Sequence, residues 1–250
     1  MIQTVITDKV SPRMSALREK VISTKPSVCT ERASFYTEAY ASNESKPVII
    51  KRAIALEKTL KGMTIFIDAG ELIVGNQSSQ NRAAPIFPEY AVDWLPAEMN
   101  ELDKRPGDAF YITEEHKKEL VRIAEWWKDK TLYDRGKALM NHENRDLLDS
   151  AIIKATGNLT SGDAHIAVDY FKILSSGLSG YLREITFHHN QVRLFEQEGI
   201  RKDHFYTALT ISVKAFQSFI LRFHDLAIEL ANKEKVAAKA YEDNLKKFEQ

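Results

Sequence analysis

The stretch YTALTISVKAFQSFILRFHDLAIEL, from Tyr206 to Leu230, has the strongest periodic pattern in this 250-residue chain. Apolar residues recur in it at alternating spacings of three and four, namely Tyr206, Leu209, Val213, Phe216, Ile220, Phe223, Ala227 and Leu230. Because a helix turns once every 3.6 residues, this spacing places all of them on one face. The stretch predicts one long amphipathic helix and, with it, a mainly α fold.

Shorter helical patterns occupy the remainder of residues 11–61 and 113–250. Several of them begin with a residue type that caps helix N-termini, or with a proline, which is favoured in the first turn. The predicted starts and ranges are, in order, Ser11-Pro12, Thr30, Pro47, Thr113, 132–140, 145–155 and Asp169. The two ends of the chain are therefore predicted to be helical.

The middle of the chain has a different character. β-Branched and aromatic residues on either side of Asp68-Ala69-Gly70 predict one short β-hairpin over residues 64–75. Residues 77–112 follow, and four prolines there argue against long regular elements, so we expect a proline-rich loop. We also expect the hairpin, around Ile65 and Ile73, and the apolar face of the long helix to pack on further elements outside this chain.

Composition excludes several classes of protein. Thirty-five basic and 35 acidic side chains give no net charge, which argues against nucleic acid as a partner. The single cysteine, Cys29, excludes an internal disulfide and any multi-cysteine metal site. No run of about 20 apolar residues is present, so no membrane span is expected. The N-terminal sequence has no basic segment before a long apolar run, and a cytoplasmic location is expected.

The polar loop from Gly157 to His165, GNLTSGDAH, contains the most chemically suggestive residues. It matches the first part of a phosphate-binding loop, but Asp163 stands where that motif requires lysine, which argues against nucleotide binding. His165 and Asp169 have the spacing of a metal pair on a helix, although no third ligand is identifiable and a capping role for Asp169 is the simpler interpretation. Ser161 with these two residues resembles a hydrolase triad in composition only, because no nucleophile elbow is present.

Other residues with possible chemistry have simpler structural interpretations. His188 and His189 are adjacent, so on a helix they point about 100° apart and cannot easily bind one ion. His204 and the two tryptophans, Trp126 and Trp127, lie inside helical patterns and are expected to pack. Cys29 precedes a helix start, where a dipole can activate a thiol, but no neighbouring base is identifiable.

Five motifs follow one another along the chain. They are Val28–Tyr40 (VCTERASFYTEAY), Lys46–Leu56 (KPVIIKRAIAL), Ile67–Gln77 (IDAGELIVGNQ), Arg82–Tyr90 (RAAPIFPEY) and Arg105–Phe110 (RPGDAF). Together they resemble the N-terminal region of the pyruvate formate-lyase-like glycyl radical enzymes. The segment Gly157–Tyr170 resembles the G-x-G-H-x-x-x-D-Y segment of the glycerol and diol dehydratase branch. The motifs follow the family's order over nearly the whole chain.

This resemblance implies a single domain over residues 1–250, the mainly helical N-terminal part of a longer enzyme built around a ten-stranded α/β barrel. Members are anaerobic lyases, dehydratases or formate acetyltransferases. A glycyl radical near their C-terminus is passed to a barrel cysteine, which abstracts hydrogen from the substrate. A partner activase that uses S-adenosylmethionine and an iron–sulfur cluster installs the radical. The family also commonly forms homodimers.

The resemblance implies that this chain contributes residues that bind substrate, and that the radical chemistry lies elsewhere in the enzyme. His165 matches the histidine that hydrogen-bonds a substrate hydroxyl in the dehydratase branch, and Asn158 and Asp163 lie in the same loop. The catalytic Cys-x-Glu has no counterpart, because Cys29-Thr30-Glu31 lies far before the barrel, and no R-V-x-G-Y-like radical loop is present. The resemblance thus implies no catalytic residue, no metal and no cofactor bound by this chain itself.

We therefore expect an N-terminal portion of a glycyl radical enzyme that acts on a small hydroxylated substrate and is inactive alone. An alternative from another class is a helical interaction or regulatory protein, whose partner would be a separately encoded C-terminal half. A third alternative is a helical metal enzyme that uses His165 and Asp169. These alternatives stay open on the sequence alone.

Overall fold

The order of secondary structure follows the sequence pattern closely at both ends of the chain. The computed structural model describes residues 10–153 and 167–248, with side chains up to residue 236. The helices are α1 (Pro12–Ser23), α2 (Glu31–Ala41), α3 (Val48–Gly62), α4 (Trp94–Glu98), α5 (Glu114–Trp127), α6 (Leu132–Ala138), α7 (His142–Asp149), α8 (Tyr170–His189) and α9 (Gly199–Phe248). The strands are β1 (Ser27–Cys29) and β2 (Ala83–Pro85).

Helix starts that the sequence predicted from capping residues are confirmed at three places. The side chains of Ser11, Thr113 and Asp169 accept hydrogen bonds from backbone amides three residues later, at 3.3, 3.1 and 3.0 Å. Such bonds satisfy amides that have no partner inside the helix. Thr30 differs, since its side chain makes no capping bond to α2.

The predicted β-hairpin over 64–75 is wrong. Residues 64–75 contain no strand. A turn is present within them, in which the Glu71 amide donates to the Asp68 carbonyl at 3.1 Å. β-Pairing occurs elsewhere, because β1 pairs in parallel with β2, Val28 lying opposite Ala84. The predicted loop over 77–112 is confirmed as free of long regular elements, and it holds β2 and the five-residue α4.

The main core lies between α2, α4 and α5. Leu95 and Leu120 are fully buried there, and Trp127 retains 2% exposure. The Trp127 indole Nε1 donates to the Thr37 hydroxyl at 2.9 Å, and its ring lies 4.9 Å from that of Tyr40. The buried indole N–H of Trp127 therefore has a hydrogen-bond partner, as the polar group of a buried tryptophan usually does.

The long helix α9 packs mainly along α3. Ala208 lies against Ile50 and Ala53, and further along α9 Phe219 and Phe223 pack with Met63, Ile65 and Ile67. The expectation that the predicted apolar face and Ile65 need elements outside the chain is therefore wrong for Phe223 and Ile65, whereas Phe216 and Ile220 of that face are 44% and 48% exposed. Ile73, in contrast, is 92% exposed.

A single side chain of α9 fixes the end of α3. The Arg222 guanidinium donates to the carbonyls of Leu60 and Met63, both at 2.6 Å. These carbonyls lie at the C-terminal end of α3, where they lack helical partners and where the helix dipole favours a cation. The contact joins two elements about 160 residues apart in sequence, and α8 packs on the same long helix.

Candidate functional site

Two of the motifs that carry the family resemblance meet in space at β1 and β2. β1 begins the first motif and β2 lies in the Arg82–Tyr90 motif, and Val28 also donates its amide to the Tyr111 carbonyl at 2.9 Å. The Arg32 guanidinium binds both carboxylate oxygens of Glu89, with Nη1 to Oε2 at 3.0 Å. We call this cluster, Arg32, Glu89, Tyr36 and Phe87 with the two strands, the motif junction.

The motif junction is built to hold a buried charge. The Arg32 guanidinium carbon lies 3.8 Å from the ring centroids of both Tyr36 and Phe87, and the side chains of Arg32 and Glu89 are 15% and 7% exposed. Burial raises the pKa of the Tyr36 phenol, and the neighbouring Arg32 charge opposes that rise. The bidentate pair and the two rings use the binding capacity of Arg32, so the cluster has a structural role.

Cys29 lies beside this junction and is inert by its surroundings. It is 2% exposed, and its Sγ accepts a hydrogen bond from the Ser79 amide at 3.5 Å. A substrate cannot reach a thiol buried to this extent, which supports the structural interpretation of Cys29 rather than a catalytic one.

The sequence-predicted binding residues Asn158, Asp163 and His165 lie outside the described residues, as does the Ser161 of the triad alternative. The described chain reaches residue 153 on one side of their loop and resumes at residue 167 on the other. On that second side Asp169 caps α8, its Oδ1 accepting from the Lys172 amide. The capping role that the sequence favoured for Asp169 is thus confirmed.

The helix that follows the loop is attached to the body through its second half. Ile185 of α8 is buried, and the His189 Nε2 lies 2.8 Å from Oδ1 of Asp203 on α9. The His188 ring stacks on Tyr206, with centroids 6.3 Å apart and planes inclined by 12°. Both adjacent histidines therefore serve the α8–α9 contact, because the ring of each lies near Tyr206 and His189 also pairs with Asp203.

The remaining candidates are accounted for as packing residues or as apolar surface. Trp126 and His204 are partly buried, as the sequence predicted. Grooves of about 830 and 630 Å³ flank α9, the first lined in part by Val48 and Phe205 and the second in part by Phe216. Among the described residues, no three histidine, cysteine, aspartate or glutamate side chains lie close enough together to hold a metal ion.

No helix in the two described segments has the length and apolar character needed to cross a membrane.

The hydrogen-bonded pair of Arg32 and Glu89 is the feature of the site region that the sequence did not predict. Both residues lie in motifs that carried the resemblance, but only a contact across 57 positions shows that they bind each other.

Comparisons with known proteins agree with this arrangement. Residues 6–249 match the family model described as "Pyruvate formate lyase-like". The chain belongs to the pyruvate formate lyase-like family. Within that family its relatives are dehydratases and lyases, and it corresponds to their N-terminal portion.

Three relatives show the extent of the match. The probable dehydratase YbiW of Escherichia coli is 42% identical over 225 residues, which are 90% of this chain and 28% of the relative. The (2S)-3-sulfopropanediol dehydratase of Klebsiella oxytoca is 29% identical over 229 residues, with the same two shares. A solved structure of the B12-independent glycerol dehydratase of Clostridium butyricum with glycerol bound superposes with a TM-score of 0.86 at 32% identity, over 90% of this chain and 29% of that one. The chain thus spans under a third of the length of these relatives.

Proposed function

We propose that this chain is the N-terminal portion of a glycyl radical dehydratase or lyase whose substrate is a small hydroxylated molecule. The observation that carries the proposal is the superposition of nine-tenths of the chain on a glycerol dehydratase. The matched relatives named as dehydratases of sulfopropanediol and hydroxyproline, and as isethionate sulfite-lyases, all act on small molecules with a hydroxyl group. The proposal includes the ten-stranded barrel, an anaerobic metabolic role and a cytoplasmic location.

In this proposal the chain contributes substrate positioning through His165, supported by Asn158 and Asp163. A neutral imidazole can donate or accept a hydrogen bond, and it can therefore hold a substrate hydroxyl for hydrogen abstraction. The loop leads within four residues into Asp169, the N-cap of α8. A cap of this kind fixes where the helix begins and so limits the positions that the loop's second end can take.

The radical chemistry belongs to other parts of the complete enzyme. The chain's one thiol, on Cys29, is buried against the Ser79 amide, and none of its glycines lies in an R-V-x-G-Y-like sequence. When complete, the enzyme supplies a glycyl radical and a barrel cysteine that removes a hydrogen atom from the substrate. A partner activase with S-adenosylmethionine and an iron–sulfur cluster generates that radical, and the chain alone has no turnover.

The test compares the chain alone with a chimera in which it replaces the matched N-terminal region of the C. butyricum glycerol dehydratase. Both are treated anaerobically with that enzyme's activase, and the glycyl radical is measured by electron paramagnetic resonance. Glycerol turnover is measured in the same samples. We expect the radical doublet and turnover in the chimera and neither in the chain alone.

A histidine exchange in the chimera then tests the binding role. His165→Ala should leave the radical doublet at full amplitude and lower glycerol turnover roughly 100-fold, because a misplaced substrate loses about that much rate. The matched control is His142→Ala, whose side chain on α7 is 90% exposed. A doublet on the chain alone, or equal turnover in the two variants, would refute the proposal.

A further inference from the structure

The first turns of α8 expose an unusual amount of apolar surface. Tyr170, Phe171 and Leu174 are 67%, 90% and 83% exposed, and Val168 just before them is 48% exposed. Positions 170, 171 and 174 lie within about 100° of one another around a helix. We call these four residues the α8 entry face.

The backbone holds this face away from the body of the protein. Gly177 has φ 60° and ψ 176°, a conformation that interrupts the helix and that residues with a side chain rarely adopt. The Lys172 Nζ lies 2.8 Å from Oε2 of Glu184, although positions twelve apart in a straight helix are separated by about 18 Å. The first part of α8 therefore folds back on the second, with its polar side inward and the entry face outward.

Leaving this face in water has a substantial energetic cost. Burial of a large apolar side chain stabilises a protein relative to exposure, because apolar surface is removed from water. A cluster of adjacent exposed apolar residues marks an interaction surface more often than an ordinary stretch of protein surface does. In the second half of α8, by contrast, Ile185 is buried within the chain, at 7% exposure.

Resting on the proposed function, we infer that the α8 entry face is the docking surface for the polypeptide that the relatives carry beyond the matched region. This chain corresponds to 28% of the E. coli relative, so most of that relative's length has no counterpart here. Val168 also lies three residues after His165. In the proposed function the remainder of the enzyme meets the substrate that His165 binds, so residues that follow His165 closely in sequence are expected to contact it.

Hydroxyl-radical footprinting with mass spectrometry measures the exposure of these side chains directly. We would compare the free chain with a second chimera, in which this chain replaces the matched region of the 42% identical E. coli relative. Labelling of Tyr170 and Phe171 should fall about tenfold in the chimera, since burial reduces the 90% exposure of Phe171 to less than a tenth. The exposed imidazole of His142 serves as the internal control, and its labelling should not change.

A variant separates docking from overall folding. Phe171→Asp with Leu174→Asp should lower the melting temperature of the chimera by several degrees but leave that of the free chain unchanged, because both side chains are free in the latter. His142→Asp with Arg201→Asp, at polar side chains that are 90% and 85% exposed, is the control and should change neither.

Three results would overturn the inference. The first is unchanged labelling of Phe171 in the chimera, and the second is a chimera that does not fold. The third is protection in the free chain that disappears on dilution, which would show that a second copy covers the face. Because no turnover is measured, failure here leaves the glycerol dehydratase chimera as a separate test of the proposed function.

Discussion

Removal of the Glu89 carboxylate should destabilise the chain more than any exposed charge change. Glu89→Ala leaves the Arg32 guanidinium between the rings of Tyr36 and Phe87 with no carboxylate partner. The pair is well buried, at 15% and 7% exposure of its two side chains. Removing one partner of such a pair costs about 3–5 kcal/mol, because the other charge stays buried. Since Arg32 keeps some contact with water, we expect the lower end, about 3 kcal/mol.

Urea unfolding followed by circular dichroism at 222 nm measures this cost. With a slope of about 2 kcal/mol per molar urea, a loss of about 3 kcal/mol lowers the unfolding midpoint by about 1.5 M. Glu101→Ala is the control, since the Glu101–Lys104 pair is more than 60% exposed and such pairs contribute about 0–1 kcal/mol. Equal midpoints for the two variants would refute the assignment of the motif junction as a buried structural charge pair.

Three further outcomes follow from described contacts. Leu120→Ala should cost about 2–5 kcal/mol, because Leu120 is fully buried, and the urea midpoint measures it; a loss below 1 kcal/mol would contradict the assigned core. Gly177→Ala should abolish the carbodiimide cross-link between Lys172 and Glu184, because alanine is strained at φ 60° and the two side chains meet only across the bend at this residue. Mass spectrometry measures the cross-link, and an unchanged yield would exclude the bend at Gly177. Burial raises the pKa of the Tyr36 phenol above its ordinary 10.0, so the folded state holds this proton more tightly than the unfolded state does. The stability of the fold that depends on the proton is therefore fully present below pH 10, and it is lost as the pH rises through the folded-state pKa. Tyr36→Phe should flatten that fall in urea midpoints measured across this range, and an unchanged slope would contradict it.

Local pattern predicted most of the helices, although the one expected over 145–155 is α7, which ends at Asp149. The three-and-four spacing from Tyr206 to Leu230 predicted half of α9, because helical periodicity depends on residues one turn apart. Ser11, Thr113 and Asp169 were recognisable as caps for the same reason, since each binds an amide three residues away.

Long-range pairing was beyond local pattern. The β-branched residues Ile65 and Ile67 suggested a strand, but they pack on Phe219 and Phe223, more than 150 positions away. The same limit applies to the β1–β2 pairing and to Arg32 with Glu89, whose partners are selected by tertiary contacts. The sequence marked both motifs as important without showing that they bind each other.

The candidate binding site depended on resemblance rather than on local physics. His165, Asn158 and Asp163 are residue types that turns also favour, and nothing in their spacing distinguishes the two roles. Family comparison supports the family that the resemblance named, while the role of His165 stays a prediction.

A crystal structure of the glycerol dehydratase chimera with glycerol bound would show whether this chain positions the substrate. We expect a ring nitrogen of His165 to lie about 2.7–3.2 Å from a glycerol hydroxyl oxygen. Glycerol bound in the barrel with His165 out of hydrogen-bond reach, and with no contact from Asn158 or Asp163, would contradict the claim that this chain positions the substrate.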